Sequence, residues 1–168
     1  MHNASTMAGM AFANAFLGMS HSMAHKIGAV HHTIHGRTNA ILLPYVIRYN
    51  GTRPSKTTTW PKYNYWKADE KFQDIARMLG LPCSTPEEAV EAYAKAVYDL
   101  GVAVGIKMNF KDQGIDEKVW NDSLHEIALL AYEDQCSPAN PRLPMVADME
   151  EIMTDAYYGY AERPGRRK

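Results

Sequence analysis

Between Ala4 and Ile27 the chain holds no proline, and no Asp, Glu, Lys or Arg precedes Lys26, while Ala, Met and Phe recur throughout. Such a stretch reads as a single helix, and in its first half, from Met7 to Met19, both faces are apolar. A helix that is apolar all round is stable only when other elements surround it. The expectation is the central helix of a bundle, with Met7, Met10, Met19 and Met23 as gap-filling core. The apolar run contains Asn14 and is too short to span a bilayer. Residues Met1 to Thr6 lack the positively charged start of a signal peptide.

The rest of the chain supplies candidate neighbours. A loop is expected from Gly28 to Gly36, then a helix from Thr38 to about Tyr49 with Pro44 as a kink or early break and Gly51 and Pro54 beyond its end. Thr52 to Tyr65, with Thr57, Thr58 and Thr59 in a row and tryptophans at Trp60 and Trp66, reads as an irregular excursion. Helical spacing returns at Lys67 to Leu79, closed by Gly80. Thr85-Pro86-Glu87-Glu88 combines a threonine cap, proline at the first helical position and glutamate three residues after the cap, and starts a helix running to about Val104. Asp116 to Tyr132 and Val146 to Tyr158 make two more. No segment alternates with period two, so the fold class is all-α, a helical bundle of five to seven helices.

Composition narrows the function. The 168 residues are 46% hydrophobic and 22% charged with a net charge of -1, which suits one globular domain and offers no positive field for a phosphate backbone. Neither nucleic acid nor a membrane is an expected partner. Cys83 and Cys136 form no C-x-x-C pair or disulfide framework, which fits a reducing cytoplasm. Five of the seven histidines, His21, His25, His31, His32 and His35, crowd into one short stretch. On a helix His21 and His25, at i and i+4, share a face with β-carbons about 5–6 Å apart, so they can be two ligands of one metal ion or two hydrogen-bonded packing residues. A metalloprotease helix would place glutamate where Ser22 stands, and that class is excluded.

The stretch His21-Ser22-Met23-Ala24-His25-Lys26-Ile27-Gly28, followed by His35-Gly36-Arg37-Thr38-Asn39-Ala40-Ile41-Leu42-Leu43-Pro44, resembles the C-terminal helical domain of iron-containing alcohol dehydrogenases. Glu133-Asp134-Gln135-Cys136-Ser137-Pro138-Ala139-Asn140-Pro141-Arg142, with Tyr157-Tyr158-Gly159 after it, is similar to the alcohol dehydrogenase half of bacterial bifunctional aldehyde-alcohol dehydrogenases. The resemblance covers nearly the whole chain and implies that residues 1–168 are the C-terminal part of a metal-binding dehydrogenase domain. It also implies that His21 and His35 are metal ligands, while His25 lies beside substrate and nicotinamide as a catalytic, cofactor-contacting residue that relays a proton. The family's other two ligands, in an aspartate-x-x-x-histidine helix, and its dinucleotide-binding domain have no counterpart in this sequence, which therefore looks like a fragment. It departs from the family at Ile34, where proline commonly precedes the metal-binding histidine.

The implied cofactors are Fe(II), with zinc accepted by the same ligands, and NAD, bound mainly by upstream parts. The implied reaction is reduction of a small aldehyde, acetaldehyde to ethanol in fermentation. The metal acts there as a Lewis acid on the oxygen where charge builds as hydride arrives. The isolated chain is expected to be inactive and to self-associate. The alternative is a non-catalytic helical module that binds metal or pairs with itself. His31, His32, His2 and His125 carry no assigned role, and Cys136 and Asn140-Pro141-Arg142 read as a packed thiol and a fixed turn.

Overall fold

The structure, a computed structural model, describes residues 1–54 and 66–159. Most of the expected excursion, Trp60 included, lies outside the described residues. Seven α-helices are found among them: α1 His2–Ala15, α2 Met19–His31, α3 His35–Gly51, α4 Ala68–Met78, α5 Pro86–Ala103, α6 Glu117–Tyr132 and α7 Val146–Tyr158, with one 3₁₀ turn at Ser137–Ala139. No strand occurs among the described residues, as the lack of period-two patterning requires.

The capping signals are realised. The Thr85 hydroxyl accepts from the Glu88 amide with Pro86 at the first position of α5, and the Asp116 carboxylate accepts from the amides of Lys118 and Val119 at the start of α6. Gly80 and Gly105 take left-handed backbone after α4 and α5, at φ +68° and +82°. The second apolar helix differs from expectation at both ends, because α3 begins at His35 and continues through Pro44 to Gly51. Proline inside a helix costs about 3 kcal/mol. Here Ile41, Leu42, Tyr45 and Val46 are buried in one core and Ile47 in another, so packing on two sides holds the helix through the defect.

The first helix is the larger correction. The stretch from Ala4 to Ile27 is two helices, separated at Phe16 to Gly18. Phe16 sits at φ 63°, ψ 177°, a region that costs a non-glycine residue on the order of 1–3 kcal/mol. At Gly18 an added Cβ would lie 2.7 Å from the Asn140 side-chain oxygen. That oxygen accepts from the Met19 amide at 3.3 Å, satisfying one of the donors that open α2. The central helix is α2, whose Met19, Met23, Ala24 and Ile27 are buried against α3, α6 and α7. By contrast α1 buries none of its residues, and Met7 and Met10 are exposed.

Two cores share α3. The main one joins α2, α3, α6 and α7 around Trp120, which stacks between Phe110 and Tyr157 at 4.9 and 5.1 Å. The second sets Ile47 of α3 against Val90 and Ala94 of α5, with Phe72 of α4 beside them. There the helices meet so closely that a Cβ on Gly51 would lie 2.5 Å from a Val90 methyl. Asn140 locks the main core to the turn before α7. Its amide donates to Asn50 Oδ1 at 2.7 Å and to the Arg142 carbonyl at 2.6 Å, and it accepts from Asn50 Nδ2 at 3.3 Å. Arg142 lies over the Tyr49 ring and donates to the Tyr49 carbonyl, so Asn140-Pro141-Arg142 is the fixed turn expected.

Replacing Asn140 by Ala strands the Met19 amide and the buried Asn50 amide. At about 1–3 kcal/mol for each unsatisfied group, Asn140→Ala should lower unfolding free energy by about 3 kcal/mol. Urea denaturation measures it, and a loss below about 1 kcal/mol would show that Asn140 does not anchor α2.

Candidate metal centre

Three imidazoles meet where the buried α2 passes the start of α3. His21 and His25 sit one turn apart on α2, and the three-residue link His32 to Ile34 turns the chain so that His35 opens α3 beside them. The ring of His35 lies 5.2 Å from that of His21 and stacks at 5.3 Å on that of His25, while His21 and His25 are 6.1 Å apart. His32 makes the turn with φ 53°. Isoleucine in place of the commoner proline at position 34 leaves the start of α3 regular, with Ile34 extended before it.

Electrostatics keep the cluster suited to a cation. Burial, then the neighbouring His35 and His25, lower the His21 pKa below its ordinary value, so near neutral pH its ring is uncharged and offers a lone pair. Ser20 donates to Asn39 Oδ1 at 2.9 Å, which turns the Asn39 amide so that Nδ2 donates to His35 Nε2 at 3.1 Å; an ion taking that lone pair would displace the amide. Bonds of about 2.0–2.1 Å from imidazole nitrogens to a shared ion are compatible with the 5.2 Å between the His21 and His35 rings. These residues fit a divalent metal. Ser20 and Asn39 were missing from the sequence reading, although Asn39 lies within the quoted motif.

His25 has a different environment from the other two. Its Nδ1 lies 3.3 Å from Oδ2 of Asp134, and the Lys26 ammonium reaches the same oxygen at 3.0 Å. Asp134 follows α6, and its other oxygen accepts from the Cys136 amide at 3.0 Å. Burial opposes the charge on Asp134, but the Cys136 amide, Lys26, the Cys136 thiol and His25 outweigh it, bringing the carboxyl to about 2. Burial and the adjacent carboxylate push the Cys136 thiol up to about 11, so it is the inert, packed thiol expected. Sequence reasoning quoted Asp134 within a motif but gave it no role, since nothing local links it to His25.

The remaining histidines stand apart from this cluster. His31 stacks on Trp120 at 5.2 Å and pairs with Ser123, and His125 pairs with Glu150 at 2.6 Å. His32 is exposed, and His2 is the exposed first residue of α1.

The chain is an all-helical bundle that brings three imidazoles together at a helix junction. The comparisons make this specific. Residues 1–157 match the C-terminal domain of the Fe-containing alcohol dehydrogenase family, and the chain belongs to that family. It is 81% identical over all 168 residues to an aldehyde-alcohol dehydrogenase of Streptococcus pneumoniae, of which it spans 19%. It is 60% identical to aldehyde-alcohol dehydrogenase 2 of Entamoeba histolytica, covering 96% of this chain and 18% of that protein. Among solved structures, a 1,3-propanediol oxidoreductase matches at TM-score 0.76 and 33% identity, over 92% of this chain and 36% of that one. The chain thus spans about a fifth of the length of these two aldehyde-alcohol dehydrogenases.

The depressed Asp134 carboxyl has a consequence for acid stability. Its folded value of about 2 lies below the ordinary 3.8, so as pH falls the unfolded chain takes up this proton first. The stabilisation is complete above the unfolded value and disappears as pH falls through the folded one, an amount of about 2 kcal/mol. Denaturation of the chain and of Asp134→Asn from about pH 6 to 2 should show their stability difference shrinking by that amount below about pH 5. A pH-independent difference would contradict the ionised, hydrogen-bonded carboxylate.

Proposed function

We propose that the chain supplies two histidine ligands and a proton relay to an NAD-linked, iron-dependent alcohol dehydrogenase that reduces acetaldehyde to ethanol in fermentation. The observation that supports this reading is the convergence of His21, His25 and His35, whose rings lie 5.2 to 6.1 Å apart. The names of the relatives, aldehyde-alcohol dehydrogenases, support the substrate class. Fe(II) is the metal favoured by the family's description, and zinc suits the same imidazoles.

When bound, the metal supplies a Lewis acid for a carbonyl oxygen and the nicotinamide supplies hydride. His21 and His35 would hold the ion without cancelling its charge, because an imidazole binds a metal as a neutral ligand. His25 moves a proton at Nε2. The described residues include no strand, and so no strand-to-helix glycine turn for a dinucleotide pyrophosphate; among them, His25 is the residue that would meet NAD, at its nicotinamide end. A nicotinamide-linked reduction draws on the intracellular pool, and we place the protein in the cytoplasm.

Two histidine roles are separable. In the full-length enzyme carrying this segment, His21→Ala and His35→Ala should each lose both bound metal and turnover. His25→Ala should retain metal while kcat falls by about 10²-fold or more, the usual scale for a lost acid-base group. Metal analysis beside steady-state kinetics decides, and a His25 variant that loses its metal would make His25 a ligand.

The 168-residue chain by itself also presents α1 to water. Met7, Met10, Phe12 and Phe16 are 69, 65, 47 and 48% exposed, and apolar surface of this kind rarely persists on a monomer. At about 25 cal/mol per Å², covering a few hundred Å² gains several kcal/mol. We therefore propose that the chain pairs with a second copy through α1. Sedimentation at micromolar concentration should show a dimer or larger species that Phe12→Glu dissociates, whereas a wild-type monomer would refute it.

A further inference from the structure

Asp134 is a buried carboxylate that the two-ligand reading leaves without a task. His25, Asp134 and Cys136 bring one ligand atom each within 4.8 Å of one another, which could be taken for a second metal site. The Lys26 ammonium opposes that, since it already holds Oδ2 at 3.0 Å, where an ion would have to displace it.

The geometry points instead to Asp134 as a positioning residue: its Oδ2, 3.3 Å from Nδ1 of His25, fixes the imidazole as the Nδ1–H tautomer and leaves the lone pair on Nε2. The carboxylate cannot rotate away. Oδ1 is tied to the Cys136 amide, the Ser137 amide donates to the Asp134 carbonyl at 3.0 Å, and the side chain is only 8% exposed. An ionised carboxylate only accepts hydrogen bonds, so the nitrogen facing it must carry the proton. His25 then takes up at Nε2 the proton released when an alcohol is oxidised and returns one when an aldehyde is reduced. The Nδ1–H stays in place throughout. This inference rests on the relay role proposed for His25.

Asp134→Asn is a close test because it preserves shape. The fixed Cys136 amide still requires an acceptor, so the Asn oxygen stays there and Nδ2, a donor, replaces Oδ2. Lys26 is 29% exposed and can swing into solvent, while His25 can answer a donor only by moving its proton to Nε2. Nitrogen-15 NMR of the chain with labelled histidine should show Nδ1–H for His25 in the wild type and Nε2–H in Asp134→Asn and Asp134→Ala. Lys26→Met should keep Nδ1–H. A wild-type Nε2–H form, an unchanged tautomer in Asp134→Asn, or an equal switch in Lys26→Met would overturn the proposal. In the full-length enzyme, Asp134→Asn should lower kcat by about tenfold or more with metal content and KM retained. A tautomer switch without that loss would mean that the relay reading, rather than the hydrogen bond, is wrong.

Discussion

The side-chain amide of Asn140 is the point on which the arrangement turns. It is 1% exposed and joins three segments that are distant in sequence: the start of α2 through Met19, the end of α3 through Asn50, and its own turn through Arg142. A buried amide has to satisfy both its oxygen and its nitrogen, and this relative placement of the three segments does so. That placement sets where α2 begins, and hence which turn of α2 presents His21 and His25 to the first residue of α3. The geometry of the histidine cluster is thus downstream of a hydrogen-bond requirement at the start of the same helix.

This dependence explains which features were legible in the sequence. Local signals read correctly. Thr85-Pro86-Glu87-Glu88 and Asp116 start helices where their side chains satisfy the first amides, and the glycines after α4 and α5 stop them. The break at Gly18 is not local. Between Ala4 and Ile27 no proline stops a helix and Gly9 and Gly18 only weaken one; what meets the chain at the break is an oxygen on Asn140, 121 residues beyond Met19. The apolar character of this stretch was read correctly, but it belongs to two different situations. Met19 and Met23 fill the core, whereas Met7 and Met10 face water on α1.

The site divides in the same way. The i, i+4 pair and the quoted motif located His21, His25 and His35 on a short stretch, because helix geometry brings such residues together without help from elsewhere. The distinction between them was not available from spacing. It comes from Asp134, 109 residues from His25, and from Asn39, whose amide orientation is set by Ser20. Asp134 draws its position from the end of α6 and from the Cys136 amide, so it becomes visible only when α6 packs on α2.

Charge placement gives the arrangement its chemical sense. In the proposed site, where the resemblance already implies one aspartate ligand, a second carboxylate on the ion would cancel more of the positive charge that a Lewis acid needs. Asp134 is near enough to influence His25 but is matched to Lys26 and to the Cys136 amide, so its negative charge is largely compensated before it reaches the cluster. Its effect on His25 is consequently directional, because a hydrogen bond to Nδ1 decides which nitrogen is left without a proton while adding little net charge beside the His21 and His35 rings. The unaided pairing of His21 with His25 by helical spacing treats two chemically different imidazoles as equivalent. What separates them is that Nδ1 of His25 already has a carboxylate partner, whereas the rings of His21 and His35 lie beside each other and, among the described residues, pair with no carboxylate.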